Sequence, residues 1–239
     1  MSSLPTVAEI AGQIDHAILK PELTRAAVDE DLALAREYGI FSVCVRPSDI
    51  VHAVAELDGS GVAVGTVIGF PHGTTSTQAK VAEARQALAD GAAELDMVLN
   101  IGRLRSGLLD DVEDDIRAVV EESGDHIVKV ILETALLTDG EKVAACQVAE
   151  RAGADFVKTS TGFAGGGATL DDVTLMRSAV SDRVQVKASG GVRGLDTLLQ
   201  MRDAGVTRFG TSATRVILDD LRDRLAGGTG SGGEDASSY

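Results

Sequence analysis

One local pattern recurs along this chain and restricts its architecture: a helical stretch ends in glycine and leads directly into a short β-rich run. Ala35-Arg36-Glu37-Tyr38-Gly39 precedes Phe41-Ser42-Val43-Cys44-Val45, and Ala89-Asp90-Gly91 precedes Glu94-Leu95-Asp96-Met97-Val98-Leu99. Arg151-Ala152-Gly153 precedes Phe156-Val157-Lys158-Thr159-Ser160, and Asp203-Ala204-Gly205 precedes Arg208-Phe209-Gly210-Thr211-Ser212. Glycine accepts the left-handed conformation just past a helix end, and a short apolar run after it reads as a buried strand. Carrying the pattern through the gaps gives eight strands, near residues 14–19, 41–45, 62–69, 94–99, 126–133, 156–161, 183–189 and 208–212. Helical periodicity separates them, most clearly over 76–90 and 138–152.

Alternating β and α units imply an α/β protein with a parallel sheet. Eight units in 239 residues favour a closed (β/α)8 TIM barrel over an open doubly wound sheet, because such barrels take about 250 residues. Residues 1–226 are expected to form the barrel. Residues 227–239 contain no apolar residue larger than alanine before the final tyrosine and are expected to form a flexible Gly/Ser-rich tail. Aromatics make up only 3% and Trp is absent, so the core must be built from Ala, Val, Leu and Ile, as suits strands covered by helices.

Charge narrows the partners. The formal net charge is −15, without the basic footprint of a nucleic-acid binder. An anionic ligand must therefore be held by a local site that works against the overall field. No apolar run approaches the roughly 20 residues of a membrane span. Cys44 and Cys146 cannot make a disulfide framework, and the start, Met1-Ser2-Ser3-Leu4-Pro5, lacks a signal-peptide pattern; a reducing cytoplasm is expected.

Barrel enzymes carry their chemistry at the C-terminal ends of strands. That filter selects Asp96, Lys129 with Glu133, Lys158, Lys187 and the segment Gly210-Thr211-Ser212. Lysine within a buried strand is costly unless paired or neutralised. A salt bridge, for example Lys187 with Asp96, would explain one such lysine. Two on adjacent strands repel each other, and burial with a like charge can bring a lysine pKa from about 10.4 toward about 7. A neutral amine attacks carbonyls to form a Schiff base. The residues thus imply one nucleophilic lysine, one cationic helper and one carboxylate, without deciding which lysine is which. Lys129, deeper in its strand and with Glu133 nearby in sequence, reads as structural or as a supporting ion-pair member.

Glycine-rich turns follow strands six, seven and eight. Backbone N–H groups at such turns bind phosphate without side-chain charge, and barrels often place phosphate after strands seven and eight. The residues expected at a phosphorylated sugar are Gly162, Gly165, Gly190, Gly191, Gly210 and Ser212. The four histidines show no metal-ligand spacing, and His16 reads as a hydrogen-bonded structural residue.

The segments Ile14-Asp15-His16-Ala17-Ile18-Leu19-Lys20-Pro21, Gly69-Phe70-Pro71, Glu94-Leu95-Asp96-Met97-Val98, Phe156-Val157-Lys158-Thr159-Ser160-Thr161-Gly162-Phe163 and Val186-Lys187-Ala188-Ser189-Gly190-Gly191-Val192-Arg193 resemble the signatures of the deoxyribose-phosphate aldolase family. The likeness runs from about residue 14 to residue 225. It implies a class I aldolase, free of metal and organic cofactor, that reversibly cleaves 2-deoxy-D-ribose 5-phosphate to acetaldehyde and D-glyceraldehyde 3-phosphate. It assigns the Schiff base to Lys158, a choice the residues alone leave open, and proton transfer to Asp96 and Lys187. It places Asp15 and Thr161 near the sugar hydroxyls and Cys44 near the substrate. It also implies a homodimer or larger homo-oligomer, and a terminal Tyr239 able to enter the site. Ala17 and Ala213 depart from the family's common threonine and serine, which removes one hydroxyl at the phosphate. A non-covalent isomerase or epimerase, or a silent barrel that senses or carries a phosphorylated metabolite, are the rival readings, because fold alone does not fix function.

Overall fold

The computed structural model describes residues 4–230. The chain alternates helix and strand: α1 (Val7–Ala11), β1 (Ile14–Ile18), α2 (Arg25–Tyr38), β2 (Ser42–Val45), α3 (Ile50–Glu56), β3 (Ala63–Ile68), α4 (Thr77–Ala89) and β4 (Glu94–Val98). It continues through α5 (Ile101–Arg105), α6 (Leu109–Ser123), β5 (Ile127–Ile131), α7 (Asp139–Arg151), β6 (Phe156–Lys158), α8 (Leu170–Ala179), β7 (Gln185–Ser189), α9 (Leu195–Asp203), β8 (Arg208–Thr211) and α10 (Thr214–Leu225). Every neighbouring strand pair is parallel, and β8 closes on β1 with Asp15 opposite Gly210, so the sheet is a (β/α)8 barrel.

Local sequence sets the helix boundaries. Thr24, Ser76, Thr138 and Thr169 accept a hydrogen bond from the backbone N–H of the third helical residue. Each such cap is worth about 1 kcal/mol over alanine. Gly39, Gly91, Gly153 and Gly205 all have positive φ, as the repeat requires.

The strands divide their residues by the two-residue period of a β-strand. Leu95, Met97, Val128, Val130, Val157, Val186 and Ala188 join the apolar cluster packed with the helices. The residues between them, Asp96, Lys129, Lys158 and Lys187, are hydrogen-bonded to one another. Composition correctly indicates an aliphatic core, but that core lies outside the strands, while the lumen is filled largely by charge.

Two strands, β5 and β6, stop two or more residues earlier than the sequence suggests. Beyond Lys158, the Thr159 N–H still donates to the Lys187 carbonyl (3.1 Å), but Ser189 is met by a side chain: the Thr159 hydroxyl donates to its carbonyl (3.0 Å) and accepts from its N–H (3.0 Å). Beyond β5, Glu133 turns the chain in a left-handed backbone conformation (φ 59°), a strained position for a residue with a side chain. Tyr239 and most of the expected tail, residues 231–239, lie outside the described residues.

Candidate active site

The lumen carries a chain of charge contacts that joins six strands, β1 and β4 to β8. Asp96 on β4 is its hub. Its Oδ2 accepts from Lys158 Nζ on β6 (2.6 Å) and from Lys187 Nζ on β7 (2.8 Å). Its Oδ1 accepts from Lys129 Nζ on β5 (2.8 Å). Asp15 on β1 accepts from Lys187 Nζ at 2.5 Å, and its other oxygen accepts from Arg208 Nη1 (2.8 Å) and Ser42 Oγ (2.7 Å). Glu94 accepts from Lys129 Nζ (2.6 Å) and Arg208 Nη1 (3.2 Å). Asp15, Asp96, Lys129 and Lys187 are each 1% exposed and Lys158 3%, so water screens none of these charges appreciably.

The two lysines that share Asp96 differ in their other contacts. Lys187 bridges two carboxylates. Burial alone would lower its pKa, but Asp15 and Asp96 outweigh burial and hold it above the ordinary lysine value. Among the described residues, Lys158 touches Asp96 alone of the carboxylates. Burial, reinforced by the Lys187 charge, keeps it below the ordinary value despite Asp96. One ammonium thus stays charged beside an amine that loses its proton more readily, the pair of states that imine formation needs.

Burial would raise Asp15 and Asp96, but the surrounding cations outweigh it. Lys187, Lys129 and Arg208 lower Asp15, while Lys129, Lys158 and Lys187 lower Asp96. Carboxylates depressed in the folded state add stability that is fully present above the unfolded carboxylate pKa of about 3.9 and is lost as pH falls through the folded values. The thermal midpoint is accordingly expected to hold from pH 8 to pH 5 and to fall steeply below about pH 4. Calorimetry across that range checks this; a midpoint unchanged at pH 2.5 would contradict it.

Cys44 is buried, with its thiol pushed up to about 11 by burial and by Asp96. Ala17, Leu19, Cys44, Val67 and Phe70 form a small apolar cluster of their own, and the Phe70 ring meets Phe163 edge to face at 5.3 Å. Ala17 therefore belongs to an apolar patch, where a threonine would bring a hydroxyl. Thr161 is buried and gives its hydroxyl and N–H to Glu133, whose carboxyl is raised by burial. Lys129 does not pair with Glu133, as proximity in sequence suggests. It reaches sideways to β4, where register sets it opposite Asp96.

The glycine turns fall into two groups. Gly162, Gly165, Gly166, Gly167 and Gly191 line a cavity of about 340 Å³ together with Arg193. Gly190 supports it from below: a Cβ on Gly167 would lie 2.5 Å from the Gly190 carbonyl oxygen. Arg193 Nε is buried without a hydrogen-bond partner among the described residues, leaving a cationic donor at a cavity otherwise lined by glycines. Gly210 instead lies inside β8, where a Cβ would come within 2.3 Å of Ser189 Oγ and 3.3 Å of Lys187 Cε. Its missing side chain makes room first for Ser189 and then for Lys187. Ser212 follows β8 and is half-buried, and the next N–H, of Ala213, is taken by Thr211 Oγ1 at 2.9 Å. His16 is hydrogen-bonded to Thr214 Oγ1 (2.8 Å). A larger cleft, about 760 Å³, lies between α7 and α8 and contains none of the lumen's charges.

Sequence reading passed over Glu94, Arg208 and Arg193. The first two were within reach of it: Glu94 stands two residues before Asp96 and Arg208 two before Gly210, so each shares a strand face with a residue already chosen.

Residues 10–218 match the model of the DeoC/LacD family aldolases. A deoxyribose-phosphate aldolase of Streptococcus pneumoniae (strain CGSP14) is 55% identical over 86% of this chain and 93% of its own length. One of Staphylococcus haemolyticus (strain JCSC1435) is 53% identical over 87% and 94%. The tetrameric deoxyribose phosphate aldolase of Aeropyrum pernix superposes with a TM-score of 0.84 at 30% identity, covering 92% of this chain and 94% of that one. With a family model spanning nearly the whole barrel and relatives above half identity, the chain belongs to the DeoC/LacD family of aldolases.

Proposed function

We propose that this chain reversibly cleaves 2-deoxy-D-ribose 5-phosphate to acetaldehyde and D-glyceraldehyde 3-phosphate through a Schiff base on Lys158. The observation that carries the reading is the shared Asp96 oxygen, with a readily deprotonated Lys158 on one side and a firmly protonated Lys187 on the other.

Neutral Lys158 Nζ attacks the C1 aldehyde of the open-chain sugar. Lys187 gives a proton to the carbinolamine oxygen, water leaves and an iminium forms. Asp96, relayed by Lys187, takes the proton of the C3 hydroxyl. The C2–C3 bond breaks, its electron pair enters the iminium, and D-glyceraldehyde 3-phosphate departs. The enamine left on Lys158 is protonated at C2, and hydrolysis frees acetaldehyde and the amine. The iminium is the electron sink, so this sequence calls for no metal or organic cofactor. Holding nucleophile, acid and base together supplies effective concentration and tuned proton donors.

The phosphate is held at the glycine-lined cavity beside Arg193, with Gly162, Gly165, Gly190 and Gly191 offering backbone N–H groups and Ser212 a hydroxyl. Asp15, Cys44 and Thr161 stand around the sugar. The protein works as a homodimer or larger homo-oligomer, as the tetrameric Aeropyrum pernix structure suggests. Two free, buried cysteines suit a reducing cytoplasm.

Borohydride reduction in the presence of acetaldehyde tests the reading. An ethyl group on Lys158, together with consumption of 2-deoxy-D-ribose 5-phosphate, is expected. Binding of the sugar phosphate with no adduct and no turnover would favour a silent sensor or carrier instead.

A further inference from the structure

The lumen holds more charge than the chemistry at its mouth uses. Glu94 and Arg208 lie two residues before Asp96 and Gly210, and two residues of strand rise about 6.6 Å. They therefore form the layer below the lysines, toward the N-terminal ends of the strands. Arg208 stacks on the Phe41 ring at 3.6 Å and faces Phe156 at 5.4 Å, which closes that end of the barrel.

Among the described residues, the network contains within ion-pair distance three carboxylates, Asp15, Glu94 and Asp96, and four bases, Lys129, Lys158, Lys187 and Arg208. An uncompensated charge is costly in so dry a place. Three cations balance three anions, so the network is most stable when one base is neutral. Arginine does not give up its proton. Lys129 donates to Glu94 and Asp96, and Lys187 donates to Asp15 and Asp96. Lys158 has Asp96 alone and is the base that yields.

We propose that Glu94 and Arg208 are positioning residues which set the proton affinity of Lys158 from the closed end of the barrel, by fixing the charge balance of the lumen. The inference rests on the reading of Lys158 as the nucleophile. The groups facing Lys158 are Asp96 on β4, Lys129 on β5, Lys187 on β7, Asp15 on β1, Cys44 on β2, and Glu133 just past β5. Cys44 is held as a neutral thiol. Glu133 is engaged by Thr161 and, among the described residues, has no cation within ion-pair distance. Neither therefore alters the count of directly paired charges.

The test is the pH dependence of Lys158 acetylation by trace acetic anhydride, read by mass spectrometry, in Glu94→Gln, Arg208→Gln, the double variant and Arg208→Lys. Removing a carboxylate enlarges the surplus of positive charge, so Glu94→Gln should bring the labelling midpoint down. Removing a cation should bring it up in Arg208→Gln. For charges roughly 10 Å apart at an effective dielectric of about 20, each shift is about one pH unit. The double variant and Arg208→Lys should match the parent protein. Opposite signs separate this account from loosened packing, which would move both single variants the same way.

Shifts of the same sign, no shift in folded single variants, or a double variant that does not return would overturn the proposal. Should either single variant fail to fold, a shift in the double variant or in Arg208→Lys overturns it equally. Failure of the parent protein to form the acetaldehyde adduct would instead sink the Schiff-base reading, while the labelling still reports the charge balance.

Discussion

Lys158→Ala is expected to lose cleavage by about 10⁴- to 10⁶-fold, the scale on which removal of a covalent nucleophile is felt. The reducible acetaldehyde adduct should disappear with it. Stability should go the other way. Among the described residues, Lys158 is the one base in the lumen without a second carboxylate partner, so its removal leaves three carboxylates facing three permanent cations. The thermal midpoint is therefore expected at or above that of the parent protein, although a large buried side chain has been deleted. Kinetics, borohydride trapping with peptide mapping, and calorimetry on the same sample check all three statements. An adduct found on Lys187 would reverse the assignment of the two lysines.

Lys187→Leu should be damaging in both respects. In the proposed cycle its ammonium gives a proton to the carbinolamine, and it sets a like charge beside Lys158, so kcat/KM near neutrality is expected to fall about 10²- to 10⁴-fold. With that charge gone Lys158 binds its proton more tightly, and activity should partly return as pH rises. Asp15 and Asp96 also lose a shared cation at full burial, which should cost about 3–5 kcal/mol. For a chain of this size that corresponds to a midpoint lower by roughly 10 °C. A pH–rate profile whose basic-side rise stays where it is in the parent protein would contradict the electrostatic part. A lower midpoint alone would then mark Lys187 as a structural ion-pair member.

The two variants show which parts of the molecule were legible in sequence. The barrel was, because each of its units announces itself locally. Gly39, Gly91, Gly153 and Gly205 each satisfy a single-residue demand at a helix end, and the run that follows each is short and apolar. Lys158, Lys187 and Asp96 stood out because a charge inside an apolar strand is conspicuous without any partner in view. The partners were not legible. Lys187 meets Asp15 across 172 positions of chain and Arg208 meets Glu94 across 114, contacts that exist only once β8 has closed on β1. Proximity along the chain suggested Glu133 for Lys129, and the left-handed turn at Glu133 carries that carboxylate to Thr161 instead. Strand ends were overestimated for a related reason: Thr159 has strand-like sequence, yet its hydroxyl rather than its backbone holds Ser189.

The contact between Gly167 and Gly190 bears on how the protein could ever be retuned. Backbone rests against backbone there, with the Ala168 N–H also donating to the Gly190 carbonyl at 2.8 Å. The turn after β6 and the turn after β7 thus interlock like two gear teeth, and neither can shift without carrying the other. Arg193 follows the second turn, while Thr161 and the Lys158 strand lead into the first. A change that enlarges the glycine-lined cavity must therefore be transmitted to the strand that carries Lys158. Cavity size and the placement of Lys158 are mechanically one variable in this barrel, and altering either independently requires breaking that mesh first.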